Sequence, residues 1–166
     1  MITQKVLKEL FLHDEEKGVL YWKNPTSFRV KKGEFAGTVY HDGNVNIQIK
    51  GKVYKRHRLI WMFKHGYFPK QLDHIDRDRS NDRLNNLRES NQSENNANKA
   101  KTNKKTSSIY IGVSWSESRK RWESKVMKNR KTYHLGRFKC EIEAAKARDK
   151  KAVELFGEFA ERNFNE

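Results

Sequence analysis

The chain has 166 residues, enough for one ordinary domain or two small ones, and only 35% are apolar, so each unit can bury only a thin core. Net charge is +15 and the pI about 9.9, an excess that a solvated surface does not require and that a polyanionic partner would neutralise. The single cysteine, Cys140, excludes an intramolecular disulfide and a four-cysteine zinc site; no apolar run reaches membrane length, and Met1-Ile2-Thr3-Gln4 lacks the start of a secretory signal, so a cytoplasmic protein is expected.

Apolar residues at 6, 7, 10 and 11 predict a short helix over 6–12, and Gly18-Val19-Leu20-Tyr21-Trp22 reads as a strand. Thr38-Val39-Tyr40, the turn Asp42-Gly43-Asn44 and the alternating Val45, Ile47 and Ile49 form a hairpin signal. A second turn at Gly51-Lys52 leads into Val53-Tyr54. The run Arg58-Leu59-Ile60-Trp61-Met62-Phe63-Lys64 reads as a buried helix stopped by Gly66 and Pro69. Its start carries Lys55, Arg56, His57 and Arg58, a good phosphate site; His57 is read equally as a structural residue. From 91 to 108 the chain turns polar, helical at first because Asn91 and Glu94 make a capping box, then a flexible basic linker. Three strands are expected over 109–115, 121–127 and 132–138, followed by a helix over 141–156. Between Lys99 and Lys139 stand thirteen Lys or Arg against two acids, Glu117 and Glu123, so the sheet face left open by the helix should be electropositive.

The chemistry concentrates in Leu72-Asp73-His74-Ile75-Asp76, Asn85-Asn86-Leu87 and Glu94-Asn95-Asn96. Cutting a phosphodiester needs a cation on the phosphate and a base for water. Asp73 offers a carboxylate oxygen and Asn95 an amide oxygen, hard ligands that favour one Mg²⁺ or Mn²⁺ over Zn²⁺. His74 points the other way along a strand from Asp73, and an imidazole is the side chain whose ordinary ionisation suits a base. Asp76 and Asp78 read as turn residues.

From His57-Arg58-Leu59 through Asp73-His74-Ile75-Asp76 and Asn85-Asn86-Leu87-Arg88 to Glu94-Asn95, the chain resembles the HNH nucleases, in particular the phage and intron homing endonucleases with a ββα-metal fold. The resemblance implies that His74 is the general base, that Asn86 fixes the loop and helps hold His74, that Asp73 and Asn95 bind one metal, and that the products carry 5′-phosphate and 3′-hydroxyl ends. Family members show a Gly at the position of Arg77 or Asp78; this chain does not.

Ile111-Gly112-Val113-Ser114-Trp115, Arg121-Trp122-Glu123-Ser124-Lys125-Val126, His134-Leu135-Gly136-Arg137-Phe138, Glu143-Ala144-Ala145 and Asn163-Phe164 resemble the plant APETALA/ethylene-response DNA-binding domain over roughly 107–165. That resemblance implies a three-stranded sheet lying in the major groove of double-stranded DNA with a helix behind it. By alternation, Val113, Trp122, Val126, Tyr133, Leu135 and Phe138 pack on the helix. Ser114, Lys125, Thr132 and His134 face outward, with Arg121, Lys131 and Arg137 near the edges.

The fold class expected is α+β: a ββα-metal nuclease unit with an additional hairpin over 1–98, a basic linker over 99–107, and a three-stranded antiparallel sheet packed on one helix over 108–166. The function expected is a site-directed DNA endonuclease. The competing readings are a DNA-binding regulator with a degenerate nuclease unit, and an RNA-binding or ribosome-associated protein.

Overall fold

The helix expected over 6–12 divides into two elements. In the computed structural model, which describes residues 2–99 and 106–164, α1 spans Gln4–Leu10 and is capped by Thr3, whose hydroxyl accepts from the Val6 amide at 3.3 Å. Phe11 then leaves the helix and opens β1 (Phe11–Asp14), which pairs antiparallel with β2 (Val19–Trp22). Phe11 lies opposite Trp22 with ring centroids 4.5 Å apart, and this cross-strand aromatic pair outweighs the helical spacing of 6, 7, 10 and 11.

The hairpin signal yields β3 (Thr38–Val39), β4 (Val45–Ile49) and β5 (Lys52–Lys55), in the order β3-β4-β5. Val45, Ile47 and Ile49 are buried and Gln48 is exposed, as a period of two requires. Gly43 turns the chain at φ 83°, a conformation that glycine adopts without a Cβ penalty. α2 (Arg56–His65) begins two residues before the apolar run and stops at Gly66, which takes the left-handed conformation that ends many helices. Its Leu59 and Ile60 are fully buried with Leu7, Phe11, Leu20 and Ile47, and this cluster is the core of the first unit. β6 (Leu72–His74) and β7 (Leu87–Glu89) then form a two-stranded antiparallel ribbon, with a 3₁₀ turn over Leu84–Asn86.

The chain divides into two compact units, Met1–Asn91 and Gln92–Glu166. The division falls before α3 (Gln92–Ala97) rather than after it, so this short helix belongs with the second unit; residues 100–105 of the expected linker lie outside the described residues. In the second unit β8 (Val113–Ser116), β9 (Arg121–Lys128) and β10 (Lys131–Phe138) form an antiparallel sheet, and α4 (Glu141–Phe156) packs on it. Val113, Trp122 and Phe138 meet Ala144 and Ala145, while Val126 and Leu135 meet Ala152 and Phe156. Ser124 is buried among them because its hydroxyl donates to the Ala144 carbonyl at 2.8 Å. β8 starts later than the apolar pattern suggests, since Gly112 turns the chain at φ 74° just before it. A register shift between His134 and Gly136 resets the alternation, which is how both Leu135 and Phe138 reach the helix side.

Candidate active site

Three side chains distant in sequence converge behind the β6–β7 ribbon. His74 ends β6, His57 lies in the first turn of α2, and Asp82 lies in the loop that joins β6 to β7; all three are buried, Asp82 completely. His74 Nε2 sits 2.8 Å from Asp82 Oδ1, and His57 Nδ1 sits 4.0 Å from the same oxygen. The two imidazoles meet edge to face with centroids 5.0 Å apart. Arg56 donates from Nε to Asp82 Oδ2 at 2.7 Å and from Nη2 to the Ser80 carbonyl at 2.8 Å. The carboxylate is thus gripped on both oxygens, and the buried charge of Arg56 is matched.

The loop carrying Asp82 is fixed by Asn86. Its Oδ1 accepts from the Asp76 amide at 3.1 Å, and its Nδ2 donates to Asp76 Oδ1 at 2.9 Å and to the Asn81 carbonyl at 2.8 Å. Asp76 and Asp78 accept from the amides of Asp78 and Ser80 respectively, at 2.8 and 2.9 Å, two successive Asx turns. Arg77 stands at φ 68°, the left-handed region that favours glycine.

Asp73 faces the other side of the ribbon from His74, because neighbouring strand residues alternate. Its cross-strand partner is Arg88, which donates to Asp73 Oδ2 from Nε at 3.1 Å and from Nη2 at 3.0 Å. Asn95 lies on α3 and therefore in the second unit.

Burial pushes the His57 imidazole down to about 4; Asp82 opposes the shift, while His74, Lys55 and Arg58 add to it. His57 is therefore neutral at pH 7 and available as a ligand. His57, His74 and Asp82 each offer one ligand atom, all within 4.8 Å of one another, which places them for metal binding. An unfolded histidine ionises near 6.5, so between pH 6.5 and 4 the unfolded chain takes up a proton that the folded chain does not. Stability is complete above pH 6.5 and falls by about 3 kcal/mol on approach to pH 4. Urea midpoints at pH 7 and 4.5 should therefore separate further for the wild type than for His57→Gln.

The basic run at the start of α2 divides between surface and interior. Lys55 is exposed, but Arg56 and His57 point into the cluster, and Arg58 donates to the Pro69 carbonyl at 2.7 Å. The pairing of Arg56 with Asp82, and the part of Asp82 itself, escape sequence reading. The available signal is an arginine at the mouth of an apolar helix, a position where burial requires an acid somewhere else in the chain.

In the second unit, Lys125, Lys131, Thr132, His134 and Arg137 are exposed, and Ser114 and Arg121 are half-buried. Arg137 lies 3.4 Å from Glu123, and Lys131 rests over the Tyr133 ring at 5.3 Å.

Residues 54–97 match the HNH endonuclease family, a segment that contains α2, the β6–β7 ribbon and α3. Over 112 residues the chain is 37% identical to Protein 3.8 of Escherichia phage T7, a stretch covering 66% of this chain and 90% of that protein.

Proposed function

This chain belongs to one family with the phage T7 Protein 3.8 and carries an HNH endonuclease domain, and from that premise we propose that it is a site-directed DNA endonuclease of homing type that uses His74 as a general base. The observation that carries this reading is the His74 ring held 2.8 Å from a fully buried carboxylate within the segment that matches the HNH endonuclease family. An imidazole anchored on a carboxylate has a defined direction.

Asp73 is the proposed ligand for one Mg²⁺ or Mn²⁺. Its carboxylate is a hard-oxygen donor of the kind such an ion takes, and the ion would share Asp73 with the Arg88 guanidinium. When bound, a divalent ion supplies charge neutralisation at the phosphate and the departing oxygen. The protein's part is to take a proton from water at His74 and to keep the 75–86 loop rigid through Asn86. Asn95, proposed as a second ligand on the sequence alone, is tested by its own substitution. The direct test is conversion of supercoiled plasmid to nicked or linear DNA with Mg²⁺ and in EDTA. Wild type should cut only with the ion, and Asp73→Asn should lose both cutting and Mn²⁺ affinity. Metal-independent cutting would end this reading.

The spacing of His57, His74 and Asp82 favours a second reading, in which the ion sits among those three. Two imidazoles and a carboxylate in a buried pocket suit a zinc-type ion. His74 would then be a ligand and not a base. In that case Asp82→Asn, and not Asp73→Asn, abolishes metal binding.

The second unit is proposed to dock on double-stranded DNA through the face bearing Ser114, Lys125, Thr132 and His134, with Arg121, Lys131 and Arg137 near its edges and the sheet in the major groove as in the plant domains it resembles. Each lysine on a phosphate releases about one counterion. Replacing Lys125 and Lys131 by serine in the full chain should therefore lower the slope of log affinity against log salt by about 2, read from anisotropy titrations across salt concentrations. An unchanged slope would remove both residues from the interface.

A further inference from the structure

We infer that Phe28 is a DNA wedge: its ring enters between two stacked base pairs while the cations beside it meet the flanking phosphates. The inference rests on the reading of duplex DNA as the substrate. Phe28 lies in the loop between β2 and β3 and is 93% exposed, more than any other large apolar side chain among the described residues. A single exposed apolar residue is ordinary on a protein surface. What sets Phe28 apart is that an ordered backbone holds it out. The loop is fastened at both ends: the Lys23 and Asn24 amides donate to the Leu10 carbonyl at 2.8 and 3.1 Å, and the Gly33 amide donates to the Trp22 carbonyl at 2.7 Å. Between these ties the Val30 amide donates to the Ser27 carbonyl at 3.2 Å, and the Glu34 amide to the Lys31 carbonyl at 3.2 Å, two tight turns in succession. Phe28 is the second residue of the first turn, its corner. Val30 ends that turn and packs against the core of the first unit. The backbone beneath the ring is thus pinned, and the ring itself stands in solvent.

The charge around it is of one sign. Residues 23–33 contain four cations, Lys23, Arg29, Lys31 and Lys32, all exposed, and no acid. The Arg29 guanidinium lies 5.5 Å from the Phe28 ring centroid. An apolar ring among mutually repelling cations gains nothing from water. Duplex DNA satisfies both parts, with phosphates for the cations and base faces for the ring. An anionic membrane surface also offers charge above an apolar interior, but binding there uses a whole apolar helix face, and this loop offers one ring on a turn. The same unit contains the β6–β7 ribbon of the HNH endonuclease match, which favours DNA as the occupant. An inserted ring unstacks one base step and unwinds the duplex there.

That unwinding is the readout, taken on the full chain in EDTA so that cutting plays no part. A closed circular plasmid is relaxed by a metal-independent topoisomerase with the protein bound, then stripped of protein and its topoisomers resolved. The wild type should leave the plasmid underwound, Phe28→Ala should lose that shift at equal occupancy of the DNA, and Phe28→Trp should keep it. In anisotropy titrations on a mixed-sequence duplex, Phe28→Ala should bind about tenfold more weakly at every salt concentration, because stacking releases no counterions. Replacing Lys31 and Lys32 by serine should instead lower the salt slope by about 2. A wild type that binds the plasmid without changing its topology overturns the inference, whatever the variants do, and leaves the DNA reading standing. A wild type that binds no DNA fails both. Phe28→Ala that holds DNA at wild-type affinity but loses binding to phosphatidylserine vesicles also overturns the inference, in favour of a lipid surface.

Discussion

His74→Ala should bind DNA as the wild type does and leave it uncut. The ring is buried and neighbours a carboxylate, so it offers no surface charge to a phosphate, and its loss removes little binding energy. Removing a general base costs about 10² to 10⁴ in rate. The expected result is an anisotropy curve within about twofold of wild type in EDTA, and a cleavage rate with Mg²⁺ lower by about a thousandfold. Asp82 keeps Arg56 as a partner in this variant, so the loop should hold. Cutting at a near wild-type rate would take His74 out of the reaction. Weakened binding together with weakened cutting would place it in the interface instead.

Arg56→Ala should be the most damaging change to the first unit. Asp82 has no exposure, and Arg56 is the cation on its second oxygen. Removing one partner of a buried ion pair leaves the other charge desolvated and costs about 3–5 kcal/mol, a large share of what a thin-cored unit has. Arg56 also lies over the Phe35 ring at 5.3 Å, so packing is lost with the charge. Urea unfolding should show the midpoint displaced by that amount. The paired replacement Arg56→Met with Asp82→Leu should recover most of the loss while remaining poor at cutting, because both members of the charged pair are gone. A single Arg56→Ala variant within about 1 kcal/mol of wild type would mean that the carboxylate does not depend on this guanidinium.

The local elements were legible because their signals are local. Asp42-Gly43-Asn44 between alternating apolar residues dictates a hairpin, and Gly66 dictates a helix end, without reference to the rest of the chain. That His74 and Asp73 lie on one strand and face opposite ways was legible because strand neighbours alternate. What sequence hid is what depends on long-range pairing. Phe11 became a strand residue because of Trp22, and Arg56 turned inward because of an aspartate 26 positions away. Within Asp76-Arg77-Asp78-Arg79-Ser80-Asn81-Asp82, nothing in the residue types separates the buried acid from the two that bend the loop. That distinction arises from the Asn86 grip and from the reach of Arg56, both properties of the folded loop.

The turn between β1 and β2 touches this loop from behind. A Cβ on Gly18 would lie 2.4 Å from the Arg83 backbone nitrogen, and Arg83 Nε donates to the Glu16 carbonyl. The family match begins at residue 54, yet the residue after Asp82 leans on a hairpin that lies before it. A cassette excised at that boundary for grafting onto another scaffold would lose its buttress. The amino-terminal hairpin is therefore part of the smallest unit that could be transplanted with the candidate site intact, even though it supplies none of the site's side chains.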